Sequence, residues 1–259
     1  MGKHAYLIMA HTKFEQVIRL LKLIDNPLND IYLHIDKKVK NTDALYKKFR
    51  SVIKQSNIYF VKQHKVSWGG YSQIETEMEL LKEAVQNNYE YYHLLSGADL
   101  PLKKQEEIHA FFDKNKGKEF VQFGNKEYIK NIKSRFQFFW IGQEYLGNQK
   151  NICSKIRYVT VLLQKIMKID RTKKIQYAAG ANWFSITNDF AKYVVSNSQL
   201  VEKLFKHTIC CDEVFLQTLL INSPYKNSIY HKEFDGDYHA IMRKIDWERG
   251  NPYVWCIDD

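Results

Sequence analysis

The chain has 259 residues, 45% of them hydrophobic and 26% charged, with only 4 Pro and 11 Gly. That composition excludes a disordered, fibrous or low-complexity chain and leaves enough apolar side chains for a sizeable core. Lys plus Arg number 39 against 29 Asp plus Glu, a net charge of +10, which points to anionic partners: nucleic acid, an acidic membrane surface or a phosphorylated small molecule.

Strand and helix alternate through the amino-terminal half. Ala5–Ala10 is an apolar run of strand length, too short for a signal peptide. Thr12-Lys13-Phe14-Glu15 has the T-x-x-E pattern of a capping box, and Phe14, Val17, Leu21 and Ile24 recur at helical spacing until Asn26-Pro27. Ile31–Asp36 reads as a second strand, Asp43–Lys54 as a helix with Leu45, Phe49 and Val52 on one face, and Asn57–Val61 as a third strand. Ser72-Gln73-Ile74-Glu75 repeats the capping pattern before a stripe of Ile74, Met78, Leu81 and Val85. Tyr91–Leu95 is a fourth strand, followed by a helix at Gln105–Phe112 and a strand at Glu119–Phe123. A long basic and aromatic stretch then runs over 126–169, before a strand at Trp183–Thr187 and a helix at about Asp212–Ile221. The alternation predicts an α/β fold with a largely parallel sheet and helices on both faces. No linker divides it, so 1–259 reads as one domain, with a nucleotide-binding half at 1–125 and an acceptor and catalytic half at 126–259.

Several function classes fall away. No apolar run approaches the roughly 18 residues of a membrane helix; Val159–Leu163 is far shorter. Cys210 and Cys211 are adjacent while Cys153 and Cys256 stand alone, so reduced structural thiols are expected and no zinc site. The basic residues come as scattered pairs such as Lys37-Lys38, Lys47-Lys48, Lys103-Lys104 and Lys173-Lys174, a solvated surface without a nucleic-acid motif. A cytoplasmic protein is expected, with peripheral contact to a membrane surface left open.

In open parallel sheets, ligands bind beyond the carboxyl ends of the strands, and four strand ends here carry polar or glycine-rich residues. Ala10-His11-Thr12 leads into a helix amino terminus, which favours negative charge. Asp36 lies 26 positions after Ala10, near the offset of a ribose-holding carboxylate, although a solvated turn before Lys37-Lys38 is the simpler account of it alone. No G-x-G-x-x-G follows the first strand, so a nucleotide would bind through base and ribose. Val66-Ser67-Trp68-Gly69-Gly70-Tyr71-Ser72 sets two glycines between aromatics, offering close backbone approach and a flat apolar wall; a plain turn accounts for the glycines only. The fourth end, Ser96-Gly97-Ala98-Asp99-Leu100-Pro101, carries one carboxylate. Sugar-nucleotide transferases of the GT-A type place an Asp-x-Asp here to hold a divalent cation, and Gly97 stands at its first Asp. The one D-x-D, Asp235-Gly236-Asp237, falls in a predicted loop and reads as a turn. Without a metal, Lys or Arg must neutralise a departing diphosphate.

Tyr32-Leu33-His34-Ile35-Asp36, Ser67 to Ser72, Leu94-Leu95-Ser96-Gly97-Ala98-Asp99-Leu100-Pro101, Gly180-Ala181-Asn182-Trp183-Phe184 and Asp212-Glu213 together resemble the core-2/I-branching glycosyltransferase family. That family also includes peptide xylosyltransferases and many bacterial members. The resemblance implies a GT-A fold, an inverting mechanism, a UDP-sugar donor and no required metal, with manganese or magnesium the disfavoured alternative. It matches the family's catalytic base to Glu213. A Glu in the first turn of an apolar helix also suits a general base on chemical grounds; a dipole-favouring Glu behind an Asp212 N-cap is the structural alternative. The same matching puts Ala10, His11, Asp36, Trp68, Gly69 and Asp99 around the uridine and donor sugar, and Tyr71 and Ser96 belong to the same blocks. Asn182, Trp183 and Asp212 fall beside the sugars, with Arg135 and Trp140 as acceptor-side candidates.

In the family, a basic segment after the block resembling Met242 to Tyr253, Asn251 included, grips the diphosphate. This chain ends at Asp259, so either such a segment lies outside the sequence or Arg243, Lys244 and Arg249 take its role. The expected function is transfer of a hexose or N-acetylhexosamine from a UDP-sugar to a hydroxyl of a protein-linked or lipid-linked glycan. The alternatives are a manganese-dependent UDP-galactose or UDP-glucose transferase and a non-catalytic nucleotide- or glycan-binding module. Nucleic acid is not an expected partner.

Overall fold

The computed structural model describes residues 2–147, 152–250 and 252–256; Asn251 and the side chains of Cys153 and Lys174 lie outside the described residues. The amino-terminal half comprises β1 (His4–Ala10), α1 (Phe14–Ile24), β2 (Asn29–Ile35), α2 (Thr42–Val52), β3 (Asn57–Phe60), α3 (Ser72–Ala84), β4 (Tyr91–Ser96), α4 (Gln105–Lys114) and β5 (Phe120–Val121). Then come α5 (Lys126–Ile132), α6 (Ser134–Gln137), α7 (Gln143–Leu146), α8 (Ile152–Ile166), β6 (Phe184–Thr187), α9 (Asn188–Ser196), α10 (Ser198–Phe205) and α11 (Phe215–Ile221). One sheet in the order β3-β2-β1-β4-β6-β5 collects the strands. The pairs among β1 to β4 are parallel, and β6 runs antiparallel to both β4 and β5. The sheet is therefore mixed but mostly parallel.

Near-continuous burial of β1 and β2 follows from helices on both faces. Ala5 and Leu7 face the larger core with Ile74 and Met78 of α3, Phe190 of α9 and Leu216 of α11. Alternate residues Tyr6, Ile8 and Ala10 face Val17 and Leu21 of α1 and Phe49 of α2. Among the described residues no helix is long and apolar enough to cross a membrane.

The helix starts differ from their sequence signals. Lys13 is left-handed (φ 52°) and α1 begins after it without a side-chain cap, so Thr12 stays exposed and Glu15 pairs with Lys48 instead. Ser72 lies inside α3, where its hydroxyl accepts the Ser67 N–H (2.8 Å). The expected helix over Asp212–Ile221 is interrupted. Cys210 is left-handed (φ 48°), Cys211–Glu213 form a tight 3-10 turn, and α11 starts only at Phe215. A tertiary bond from the Cys210 N–H to the Gly69 carbonyl (3.0 Å) accompanies the break.

Strand order reverses between β1, flanked by β2, and β4. Such a reversal opens a crevice at the carboxyl ends of the two strands, here Ala10 and Ser96.

Candidate active site

Two chain segments touch across this crevice. A Cβ placed on Gly97 would lie 2.8 Å from Val17 Cγ2 and 2.9 Å from Ala10 Cβ, closer than packed carbons allow. Glycine is what lets the two strand ends meet, and an Asp at this position would not fit without displacement. The donor set there is one carboxylate, Asp99, whose Oδ2 accepts the Ser96 N–H (2.8 Å) while the Ser96 hydroxyl accepts the Ala98 N–H (3.2 Å). Asp36 is buried at the end of β2. Its N–H donates to the Ala10 carbonyl (3.0 Å), and its oxygens accept the N–H groups of Lys38 (2.8 Å) and Val66 (3.4 Å). A solvated turn residue it is not; it ties the second strand end to the loop that carries Trp68.

Arg243 reaches this region from far along the chain. Its guanidinium donates to the Leu94 carbonyl (3.0 Å). Burial pulls its pKa down, partly opposed by the charge of Asp99, and its Nε finds no partner among the described residues. Lys244 lies elsewhere, its ammonium 5.9 Å from the Trp255 ring. Arg249 pairs with Asp246 and stacks on Tyr253. His11 is exposed at the crevice mouth.

The glycine turn joins the crevice to the predicted base. Gly69, at φ +66°, donates its N–H to Gln73 Oε1 (2.5 Å) and accepts the Cys210 N–H. Gln73 in turn donates to Asp212 Oδ2 (2.7 Å), so one amide side chain links the turn to the Cys211–Glu213 segment. The two aromatics diverge and form no common wall: Trp68 is 56% exposed, while Tyr71 packs on the larger core near Glu202 and Glu75.

Glu213 is held by backbone and by charge. Its carbonyl accepts the Gly180 N–H (2.9 Å), and its carboxylate, 35% exposed, places Oε2 2.6 Å from Arg135 Nη1. The Tyr128 hydroxyl donates to the same oxygen at 3.4 Å, and burial with the Glu213 charge pushes the Tyr128 pKa up to about 12. Burial, then Glu213, also raises the pKa of Tyr238, whose hydroxyl accepts the Trp247 indole N–H (2.8 Å). Beneath Glu213, burial and then the Glu213 charge raise the Asp212 carboxyl to about 7. Glu77 is fully buried; desolvation and then Asp212 push its pKa up, and its Oε2 has no partner among the described residues. Desolvation drives the neighbouring Cys210 thiol up to about 12, which removes it as a nucleophile.

Gly180 continues into the sugar-side candidates. The Ala181 N–H donates to Gln122 Oε1 (2.6 Å) and its carbonyl accepts Gln217 Nε2 (2.7 Å), so half-buried Asn182 and Trp183 extend from the segment that bonds Glu213. Trp140 is instead a packing residue. It is buried, its indole N–H donates to the Ser134 carbonyl (2.8 Å), and Arg157 lies 5.5 Å from its ring, which leaves no open face for a sugar. The Asp235-Gly236-Asp237 turn (Gly236 φ +88°) docks on the end of β5 through Gly236 N–H to the Phe123 carbonyl (3.0 Å). His231, Glu233 and Asp235 there bring ligand atoms within 4.8 Å of one another, but Asp235 is already bonded by His231 and by the Asp237 N–H.

Gln73, Glu77, Tyr128, Tyr238 and Gln122 are absent from the site residues that the sequence put forward. Glu77 had a signal: with Ile74, Met78 and Leu81 it falls at helical spacing on the buried stripe of α3, a carboxyl at a core position. The two tyrosines had none.

An open α/β sheet whose carboxyl edge gathers polar groups, with one half-exposed carboxylate gripped by a cation, has the layout of a nucleotide-dependent α/β enzyme. The family model for the Core-2/I-Branching enzyme matches residues 4–255, and the chain belongs to that family of glycosyltransferases. Rat xylosyltransferase 2 is 25% identical over 255 residues, covering 95% of this chain and 26% of that protein. Xylosyltransferase oxt of Drosophila melanogaster is 26% identical over 223 residues, covering 82% and 23%. The chain thus spans about a quarter of the length of these relatives. Among solved structures, mouse xyloside xylosyltransferase 1 in its apo form overlaps 86% of this chain and 83% of its own, at 9% identity and a TM-score of 0.36. An overlap of that score fixes neither fold nor function.

Proposed function

We propose that this domain is an inverting glycosyltransferase that moves a sugar from a UDP-sugar to a hydroxyl of a protein-linked or lipid-linked glycan, with Glu213 as general base and no required metal. The acceptor oxygen attacks the anomeric carbon while Glu213 takes its proton, and the bond to the diphosphate oxygen breaks with UDP leaving. Among the described residues, the bonds on the Glu213 carboxylate fall on Oε2, which leaves Oε1 for the acceptor hydroxyl. Asp36 and the Trp68–Gly69 turn hold the nucleotide, Asn182 and Trp183 meet the sugars, and Arg243, the one of the three basic candidates that reaches the strand ends, balances the charge shed on the diphosphate. The observation that carries this reading is the half-exposed Glu213 carboxylate, bonded through its own backbone to Gly180 and through Asp212 and Gln73 to Gly69. Glu213→Gln is expected to keep UDP binding and lose transfer by about 10²–10⁴-fold; turnover at the wild-type rate would place the base elsewhere.

Similarity to xylosyltransferases puts UDP-xylose in the donor panel beside UDP-GlcNAc, UDP-glucose and UDP-galactose. A metal-dependent variant of the reading has one observation in its favour, the proximity of His231, Glu233 and Asp235 on a turn docked to β5. EDTA is expected to leave transfer intact. Abolition with rescue by manganese would assign the diphosphate charge to that group or to Asp99.

A further inference from the structure

The helix α8 buries a largely polar face, Arg157 and Gln164 with Val161, and exposes an apolar one. Its inner face is pinned: Gln164 exchanges bonds with the Phe139 backbone (2.8 and 2.9 Å), and Val161 packs with Phe138 and Trp140. Its outer face presents Tyr158, Val159, Leu162, Leu163 and Ile166, with Met167 just beyond, each 53–70% exposed. Single exposed apolar side chains are ordinary. A continuous strip of five over about 13 Å of helix is not, because the apolar stripe of a helix ordinarily faces a core and here it faces outward.

Beside the strip lies a groove of about 590 Å³ whose lining includes Lys130, Lys133, Lys165, Lys168 and Lys173, with Asp170 the one acid. Asp170 is already used: its oxygens accept from the Thr172 N–H and hydroxyl and from the Gln137 amide. Lys165 projects from α8 itself and Lys168 from its carboxyl end, so the cations border the apolar strip.

We propose that the outer face of α8 and the lysine groove form a docking surface for an anionic lipid bilayer. The strip enters the acyl boundary while the ammonium groups meet headgroup phosphates, the division of labour of an interfacial amphipathic helix. Charge decides against a second copy of this chain. Five lysines beside the strip, on a chain of net charge +10, favour an anionic surface over a second basic copy. The proposal is independent of the catalytic reading, since lipid binding is measured without sugar transfer.

The test is co-sedimentation of the protein with phosphatidylcholine vesicles and with vesicles in which phosphatidylglycerol replaces part of the phosphatidylcholine. Binding is expected to the anionic vesicles only, weakening as salt rises. Each lysine near a charged surface is worth about fivefold in partitioning, so reversing Lys165, Lys168 and Lys173 to Glu is expected to weaken binding by well over tenfold. Leu162→Glu with Ile166→Glu is expected to abolish it with an unchanged melting temperature, because these side chains already face solvent. Equal or absent binding to both vesicle types overturns the proposal. So does a dimer on size exclusion that Leu162→Glu converts to a monomer, which would give the face to a second copy.

Discussion

At the ends of β1, β2 and β4, polar side chains are bonded mainly by backbone: Asp36 by the N–H groups of Lys38 and Val66, with the Lys38 ammonium 3.2 Å away, Asp99 by the N–H of Ser96, and Arg243 by the Leu94 carbonyl. Around Glu213 the partners are other side chains, namely Arg135, Tyr128 and the Gln73–Asp212 link, with Glu77 buried close by. Backbone partners are fixed once the sheet forms, so the strand-end region is as rigid as its strands. Side-chain partners carry charges that depend on one another, so the region around Glu213 is expected to respond to pH and to conservative substitutions more than the first.

The comparison can be broken or sharpened. Its largest effect belongs to Glu213→Gln, where the loss of transfer should far exceed any change in UDP affinity; a parallel loss of both would merge the two regions. Next is Gly97→Ala on the backbone-built side. The added methyl would sit 2.8–2.9 Å from Val17 and Ala10, and such overpacking costs about 1–3 kcal/mol, outweighing the entropic gain of replacing glycine. A lower denaturation midpoint with weakened UDP binding is expected, and an unchanged midpoint would mean that the strand ends are not in contact.

Asp212→Asn tests the coupled side through pH. Burial and the Glu213 charge raise the folded Asp212 pKa to about 7, above its ordinary value of 3.8, so between these values the folded state holds a proton that the unfolded chain has released. Its contribution to stability is therefore lost as pH rises through that window. Asn carries no such penalty, and the variant should be more stable by about 1–3 kcal/mol at pH 8, with the difference fading toward pH 4. Thermal melts across pH read this directly; a gain independent of pH would reject the titration. The smallest effect is expected for Gln73→Ala, which cuts the bond between the glycine turn and Asp212. A drop of about five- to tenfold in kcat with a smaller change in donor KM marks a positioning role, and equal changes in both would reduce Gln73 to a binding residue.

Much of the first region was legible in the primary structure. Buried runs such as Ala5–Ala10 and the apolar stripes of α1 and α3 announce themselves by spacing, and the polar strand ends fall where the sheet places its crevice. The capping patterns misled, because Lys13 enters the left-handed region and Ser72 spends its hydroxyl on Ser67. Trp140 was an acceptor-side candidate in a stretch that core packing could equally explain, and the structure buries it with its N–H satisfied. The break at Val214 was invisible because the apolar periodicity of α11 runs on through it.

By itself, the order of residues determined the α/β alternation and the family pattern, since periodicity and motif spacing are local properties of the chain, and the family resemblance then put Glu213 forward as the base candidate. Tertiary structure alone decided the company that Glu213 keeps. Arg135 and Tyr128 lie 78 and 85 positions away, Gln73 bonds Asp212 across 139, and no local rule relates charges so far apart until packing brings them within a hydrogen bond.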